Sequence, residues 1–129
     1  MATNYLSTVR LTHVFEPLLS GKTEPAFVIT TSGAALVPDI SNPTYSATKA
    51  AMHSYVQSMR LTLQRRRSPI KVFEIFAPLV DSPFAAAVNA PGKLPAAQVV
   101  ADGLVSRAEP LLNGPITSLW LEPATPDEP

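Results

Sequence analysis

The sequence predicts an α/β fold in which helices cover a small parallel sheet. Two observations carry this prediction: segments with helical spacing of apolar residues alternate with short apolar runs, and prolines separate most of these segments. The order along the 129 residues is helix, strand, helix, strand, helix, strand. Such alternation makes the strands parallel, because each helix returns the chain to the same end of the sheet. We expect one domain with about three strands and three helices.

The first helix and the first strand are marked by their ends. Residues 5–20 carry leucines and valines at helical spacing, and Gly21 follows where glycine commonly terminates a helix. The segment PAFVITTS then combines consecutive apolar residues with a bounding proline, Pro25, as a buried strand does. The first strand is therefore expected between Pro25 and Ser32.

A long second helix is predicted over residues 44–65. Ser41 or Asn42 can cap its start, and Pro43 suits the first turn because its missing N–H is not needed there. Its inward face is expected to contain the side chains Ala51, Tyr55, Ser58, Met59, Thr62 and Leu63. The arginines at 65–67 follow at its C-terminal end, where they complement the helix dipole in solvent rather than bind phosphate.

Shorter elements complete the predicted domain. The segment SPIKVFEIFAP indicates a second buried strand, and residues 78–94 a loop or a short irregular helix. A third helix is expected over 95–108, with proline in its first turn, before a third strand in ITSLWLE. We expect residues 1–122 to form the domain and residues 123–129 to be a disordered tail.

Composition argues against several classes of function. The ten basic and ten acidic residues give a formal net charge of zero, which argues against binding to nucleic acid or to an anionic membrane surface. The chain has no cysteine, which excludes disulfides and thiol chemistry. No run of 18 apolar residues is present, and the N-terminal segment lacks the features of a signal peptide. We expect a cytoplasmic protein.

Tyr45 and Lys49 lie four residues apart near the start of the second helix, so one helical turn places both on one face. A phenol is a poor base near neutrality, and a neighbouring cation favours its charged form. Ser32 ends the first strand, and ligands of open α/β sheets bind beyond the carboxyl ends of strands. Its hydroxyl can polarise a carbonyl oxygen while the tyrosine transfers a proton. A packed tyrosine beside a solvated lysine is the alternative, which the added serine weakens.

These three residues form the pattern S-x12-Y-x-x-x-K, within the stretches VITTSGAA and PTYSATKAAMHSYVQSMRLTL. The sequence closely resembles the short-chain dehydrogenase/reductase family. The resemblance implies that Tyr45 is the general acid/base, that Lys49 assists it, and that Ser32 orients the substrate oxygen. The family also has an asparagine in the preceding helix that helps to hold a proton-relaying water. In the stretch NYLSTVRLTHVFEPLL, Asn4 falls on that position, with a helix cap as its alternative role.

The resemblance implies NADP or NAD as the cofactor and a small carbonyl or alcohol as the substrate. In the family, a Pro-Gly turn and a threonine after the next strand contact the nicotinamide, and the matching stretch here is APLVDSPF. The expected cofactor contacts are Tyr45, Lys49, Pro78, Val80 and Ser82. Leu79 replaces the family's glycine, and a serine hydroxyl replaces that of the threonine.

The resemblance covers residues 2–122, which correspond to only the second half of the family fold. The first half of that fold holds a Gly-x-x-x-Gly-x-Gly phosphate loop, and no pair of glycines here has this spacing. The expected architecture is a partial doubly wound, Rossmann-like sheet that lacks the N-terminal dinucleotide-binding half. Its first strand would keep a bare apolar edge, so a second copy or a chain supplying the missing half is the expected partner.

In the family, the first two helices also form a dimer interface. His13, Phe15 and His53 are therefore expected at the helix surface or at such an interface. Neither histidine has a metal-ligand companion at a suitable spacing, so no metal site is expected.

Two functions stay open. The first is a carbonyl reductase or alcohol dehydrogenase, of which this chain is a fragment or one half of a split enzyme. The second is a non-catalytic remnant that associates through its helices with a full-length relative. The retained catalytic pattern favours the first, and the missing phosphate loop favours the second for this chain alone. The residues do not encode the identity of the substrate or the choice between NAD and NADP.

Overall fold

The computed structural model describes residues 1–78, 80–81, 94–95 and 118–120. In chain order, its helices and strands are α1 (Ser7–Leu19), β1 (Ala26–Ser32), α2 (Pro43–Arg65), β2 (Lys71–Ala77), β3 (Val80–Asp81), β4 (Leu94–Pro95) and β5 (Ser118–Trp120). A π-helical turn, Ala2–Leu6, precedes α1, and a 3₁₀ turn, Gly33–Ala35, follows β1. No helix within these ranges is both long and apolar enough to cross a membrane.

The main sheet is parallel, as the sequence predicts. β2 lies in the centre, with β1 on one side and β5 on the other. β1 and β2 pair over their whole lengths, from Ala26 opposite Lys71 to Ser32 opposite Ala77. The carboxyl ends of both strands therefore lie at one edge of the sheet, which is where ligands of such sheets bind.

A second, smaller parallel pair is formed by β3 and β4. The predicted loop or irregular helix over 78–94 is therefore wrong near its two ends, because two-residue strands are too short to leave an apolar periodicity. Pro95, expected to start the third helix, belongs to β4. The other residues of that helix, 96–108, and the tail, 123–129, lie outside the described residues.

The described core lies between α2 and the sheet. Five consecutive side chains of β2, at positions 72–76, are buried, as expected of a central strand covered on both faces. The buried apolar cluster consists of Ile29, Met52, Val56, Leu63, Ile70 and Val72. Full burial of each such side chain contributes about 1.5–3 kcal/mol to folding. This apolar contact therefore stabilises the packing of α2, which carries site residues, against the sheet.

Helix α2 has its predicted extent, but its predicted inward face is only partly right. Met52 and Val56 are buried, although the prediction omits them. Ser58 and Thr62, predicted to face inward, are exposed. Their hydroxyls donate to carbonyls one turn earlier in the helix, at 3.0 and 2.8 Å, so they need no buried partner. Tyr55 is half-buried and faces α1 rather than the sheet.

The helix ends largely follow their sequence signals. Gly21 follows α1 with a φ of +76°, a left-handed conformation that glycine adopts without strain. Asn42 is the N-cap of α2, and the following proline is the first helical residue, as predicted. The Asn42 side chain makes no capping bond to the helix; its Nδ2 instead donates to Asp39 Oδ2 at 3.0 Å. The arginines at 65–67 are exposed, as expected of a solvated helix end.

β1 is an outer strand of the described sheet, and its surroundings are apolar and exposed. Val28 is 57% exposed. A groove of about 410 Å³ is lined mainly by Leu11, Phe15, Phe27, Val28 and Ile29. On α1, the exposed apolar side chains are Leu11, Val14, Phe15 and Leu18, at 47–61%. His13, on the same helix, is also exposed. The strand edge and the outer side of α1 thus form one apolar surface.

Candidate active site

Ser32 lies where the sequence predicts, at the last position of β1 and level with the end of β2. Its hydroxyl oxygen accepts a hydrogen bond from the Ala34 N–H at 3.2 Å, so Ser32 caps the adjoining 3₁₀ turn. A hydroxyl that accepts through its oxygen retains its own hydrogen for donation. The half-buried Ser32 can therefore donate its O–H to a ligand oxygen at this edge of the sheet.

The loop between β1 and α2 is held by Asp39, a residue that no sequence motif marks. Its carboxylate accepts from the Ser41 N–H at 2.9 Å and from Asn42 Nδ2 at 3.0 Å. The bond from the Asn42 side chain, together with the weaker effect of the Ser41 backbone, holds the pKa of Asp39 below its usual value. The Asp39 N–H donates to the buried Ser46 Oγ at 2.8 Å. These bonds fix the first turn of α2, which carries Tyr45.

Tyr45 and Lys49 are brought together, as helical spacing predicts. Both are half-buried, and Lys49 Nζ lies 5.6 Å from the centroid of the Tyr45 ring. This cation–π contact is worth about 0.5–1 kcal/mol at an exposed site. Burial lowers the pKa of Lys49, because a buried ammonium loses part of its hydration. Within the described residues, no hydrogen bond joins the Tyr45 hydroxyl to Lys49 or to Ser32.

Asn4 reaches α2 through Thr48, a residue that nothing in the sequence distinguishes. Asn4 Nδ2 donates to Thr48 Oγ1 at 3.4 Å, and Thr48 Oγ1 donates to the Tyr45 carbonyl at 2.7 Å. Asn4 therefore contacts α2 next to Lys49 in the chain, without a bond to either predicted catalytic side chain of that helix. The helix-cap alternative is wrong, because Asn4 lies inside the π-helical turn and other residues cap it and α1.

The expected nicotinamide contacts are described only in part. Pro78 is half-buried directly after β2, at the same edge as Ser32. Val80 lies in β3, so the chain continues as a short strand beyond that edge. Ser82 lies outside the described residues.

The structure corrects the expected place of His53. Its Nδ1 lies 3.0 and 2.9 Å from the two carboxylate oxygens of the fully buried Glu74, so the histidine faces β2 rather than a partner. Thr31 Oγ1 also donates to Glu74 Oε1, at 2.9 Å. A signal was present, since Glu74 is the one charged residue in the run VFEIFA. A buried carboxylate requires hydrogen-bonding partners, and histidine and threonine supply them here.

The chain is similar to known sequences and structures. The family model described as short chain dehydrogenase matches residues 1–92. The chain is 40% identical over 79 residues to the uncharacterized oxidoreductase DltE of Bacillus subtilis (strain 168), and the match covers 61% of this chain and 31% of that relative. The chain thus spans about a third of the length of this curated relative.

Two solved structures share the fold. A short chain dehydrogenase from Burkholderia cenocepacia J2315, in complex with NADP, has a TM-score of 0.74 and 23% identity, over 92% of this chain and 46% of that one. An alcohol dehydrogenase from the archaeon Thermococcus sibiricus, complexed with 5-hydroxy-NADP, has a TM-score of 0.76 and 19% identity, over 97% and 53%. The fold is thus Rossmann-like, with a parallel sheet. Because the family match covers residues 1–92, which is more than half of the chain, the chain belongs to the short chain dehydrogenase family.

Proposed function

We propose that the chain carries the catalytic side of an NAD(P)-dependent oxidoreductase that interconverts a carbonyl compound and an alcohol. The observation that carries this proposal is the 5.6 Å contact of Lys49 Nζ with the Tyr45 ring, on the helix that packs against the 3₁₀ turn capped by Ser32. Membership of the family supports the reaction class. The NADP complexes among the similar structures support the class of cofactor.

In this proposal Tyr45 moves the proton. In the reducing direction its hydroxyl gives a proton to the substrate oxygen, and in the oxidising direction the phenolate takes one back. Lys49 stabilises the phenolate through its positive charge. Ser32 donates its O–H to the substrate oxygen and so holds the reacting carbonyl in place. By resemblance to the family, Asn4 would help to hold a water that relays protons to Lys49, and its bond to Thr48 places it against α2 beside that lysine in the chain.

The residues present fit one end of the cofactor. When bound, the nicotinamide supplies or accepts a hydride, and it would lie against Tyr45, Lys49 and the segment from Pro78 through Val80 to Ser82. Tyr45, Lys49 and Pro78 are half-buried, so they can exclude water while still reaching a ligand. The glycine spacing of a pyrophosphate loop is not present in the sequence. We propose that residues 1–122 correspond to the C-terminal half of the family domain.

The remaining cofactor contacts would come from a partner. We propose that a chain supplying the dinucleotide-binding half pairs with the edge of β1 that no described strand covers. The 57% exposure of Val28 and the apolar groove of about 410 Å³ beside it support this. The length of the similar structures, of which the chain spans 46% and 53%, supports it as well.

The exposed side of α1 favours a second candidate function. Leu11, Val14, Phe15 and Leu18 form an apolar surface that could dock a full-length relative without any catalysis by this chain. Both functions use an apolar surface, and they differ in whether Tyr45 performs chemistry. The cytoplasmic location expected from the sequence stays a prediction.

Cofactor binding and turnover test the proposed function. The purified chain, alone and mixed with a chain that carries the glycine-rich phosphate loop, is titrated with NADPH and NADH while the nicotinamide fluorescence is followed, and a panel of small carbonyl compounds is then assayed. We expect a Kd below about 1 mM and a loss of turnover of about 10²–10⁴-fold in Tyr45→Phe. Ser58→Ala, which removes an exposed hydroxyl from the same helix, is the matched control and should change neither. Absence of cofactor binding, together with capture of a full-length relative, would support the second candidate instead.

A further inference from the structure

Glu74 is a buried acid at the centre of an apolar strand. Its side chain is 0% exposed, and its neighbours in β2, Phe73 and Ile75, are buried apolar residues. A carboxylate in such surroundings is unfavourable unless hydrogen bonds and charge compensate for its lost hydration. The proposed reaction assigns no role to this group.

The partners of Glu74 come from the two elements that carry the site. Thr31 Oγ1 donates to Oε1 at 2.9 Å, and Thr31 directly precedes Ser32 on β1. His53 Nδ1 donates to the carboxylate at 2.9–3.0 Å, and His53 lies one helical turn after Lys49 on α2. The Glu74 network, defined as Thr31, His53, Gln57 and Glu74, thus joins the end of β1 to the middle of α2, one helical turn after Lys49.

Hydrogen bonds run in one direction through the Glu74 network. The amide nitrogen of Gln57 only donates, so His53 Nε2 is the acceptor beside it and the imidazole proton lies on Nδ1, which faces Glu74. Gln57 Nε2 lies 2.7 Å from His53 Nε2 and can donate to it. The imidazole is therefore held at both ring nitrogens, and its ring also lies against Phe76, at 5.5 Å between centroids.

Arg60 supplies compensating charge near the same strand. Burial lowers the pKa of Arg60, and the negative charge of Glu74 raises it in opposition. Arg60 Nε also donates to the Val72 carbonyl of β2 at 3.1 Å. Two residues of α2, His53 and Arg60, thus compensate the buried acid. Because each also contacts β2, together they resist movement of the helix along that strand.

We propose that Glu74 is a positioning residue for the candidate active site: its buried carboxylate sets the placement of Ser32 relative to Tyr45 and Lys49. This inference rests on the proposed function, which makes these side chains catalytic, but their placement can be measured without any turnover. The apolar cluster alone would leave α2 free to slide by small amounts, because apolar contacts are not directional. Hydrogen bonds to one buried carboxylate from both elements select a single arrangement.

Two variants each remove one hydrogen-bonding partner of Glu74 and leave Glu74 in place. Thr31→Val is isosteric and replaces the hydroxyl with a methyl group. Thr31→Ser retains a hydroxyl and should keep the hydrogen bond to Glu74. His53→Phe removes the imidazole but retains an aromatic ring against Phe76. Thr62→Ala, an exposed change elsewhere on α2, is the matched control.

Two measurements by NMR report on placement rather than on stability. The first is the nuclear Overhauser effect between the side chains of Ile29 on β1 and Met52 on α2, which belong to one buried cluster, and the second is the titration of the Lys49 ammonium. In Thr31→Val and His53→Phe we expect the nuclear Overhauser effect to weaken. We also expect the pKa of Lys49 to rise toward its ordinary value, because the loosened site admits water. Thr31→Ser and Thr62→Ala should match the wild type. Urea unfolding shows separately that each variant is folded.

The outcomes separate the two proposals. If both variants lose stability but keep the Ile29–Met52 effect and the Lys49 titration, Glu74 is only a stabilising group and the inference is overturned. If the wild type turns over a substrate, kcat should fall by roughly 10–100-fold in Thr31→Val with a smaller change in KM. If the wild type binds no nicotinamide cofactor, the proposed function fails, while the NMR measurements still decide the positioning role.

Discussion

Removing the Tyr55 hydroxyl should weaken the contact between α1 and α2 by a measurable amount. This hydroxyl lies 2.6 Å from Thr12 Oγ1, and Thr12 is only 5% exposed. Thr12 Oγ1 also donates to the carbonyls of Thr8 and Val9, both at 3.0 Å. Since its own hydrogen is engaged there, Thr12 accepts from Tyr55, and Tyr55→Phe leaves that acceptor unpaired.

The expected effect is about 1 kcal/mol, within a range of about 0.5–1.5 kcal/mol for a buried hydrogen bond between neutral groups. Phenylalanine keeps the edge-to-face contact with Tyr5, whose ring centroid lies 6.2 Å from that of Tyr55 at an angle of 88°. No cavity term is therefore added. In a chain of this length, the change corresponds to a fall in Tm of roughly 3–6 °C.

A double-mutant cycle separates this bond from other effects. Tyr55→Phe, Thr12→Val and the double variant are unfolded in urea and followed by circular dichroism, with Thr12→Ser as a control that retains the hydroxyl. We expect a coupling free energy near 1 kcal/mol, since each single change already breaks the same bond. Additive changes, with coupling under about 0.3 kcal/mol, would refute the claim that the two hydroxyls bond in the folded chain.

Three further predictions concern charge and association. Burial holds the pKa of Lys49 in the folded chain below its ordinary value of 10.5, so between the folded and the unfolded pKa the unfolded chain binds more protons. The free energy of unfolding should therefore rise with pH up to about 10.5, and Lys49→Met should flatten this rise when it is measured by urea unfolding. The ion pair of Arg66 with Glu16 spans 3.3 Å at exposures of 65% and 34%, so Glu16→Gln should change the free energy of unfolding by no more than about 0.5 kcal/mol; a larger loss would contradict its solvated character. Val28→Lys places a charge on β1, the outer strand of the described sheet, and should reduce self-association in sedimentation velocity, and unchanged association would show that the contact lies elsewhere.

Long elements with several independent signals were predictable from the sequence. For α2, the proline at its start, the helical apolar spacing and the basic end agree, and the helix runs over Pro43–Arg65. Its buried stripe was harder to predict, because Ser58 and Thr62 bond to carbonyls of their own helix and so can face solvent. β3 and β4 have two residues each, and such short strands leave no periodic signal.

The candidate site was predictable to the extent that it is local. Tyr45 and Lys49 lie one helical turn apart, so their contact follows from spacing within a single element. The bond from Asn4 to Thr48 spans 44 positions, and that from Thr31 to Glu74 spans 43. Such contacts depend on how separate elements pack, and a single sequence does not encode them in any local pattern. The lone acid in an apolar strand was a sign that some partner existed, but not of which one.

The π-helical turn ahead of α1 makes this segment sensitive to its length. Compared with an α-helix, the wider turn accommodates one extra residue, which rotates the residues before it by about 100° relative to the rest of the helix. Loss of one residue between Asn4 and Ser7 would restore a regular helix and swing the Asn4 amide away from Thr48, although every side chain named in the site would still be present. In this stretch, the number of residues carries information that their identities do not.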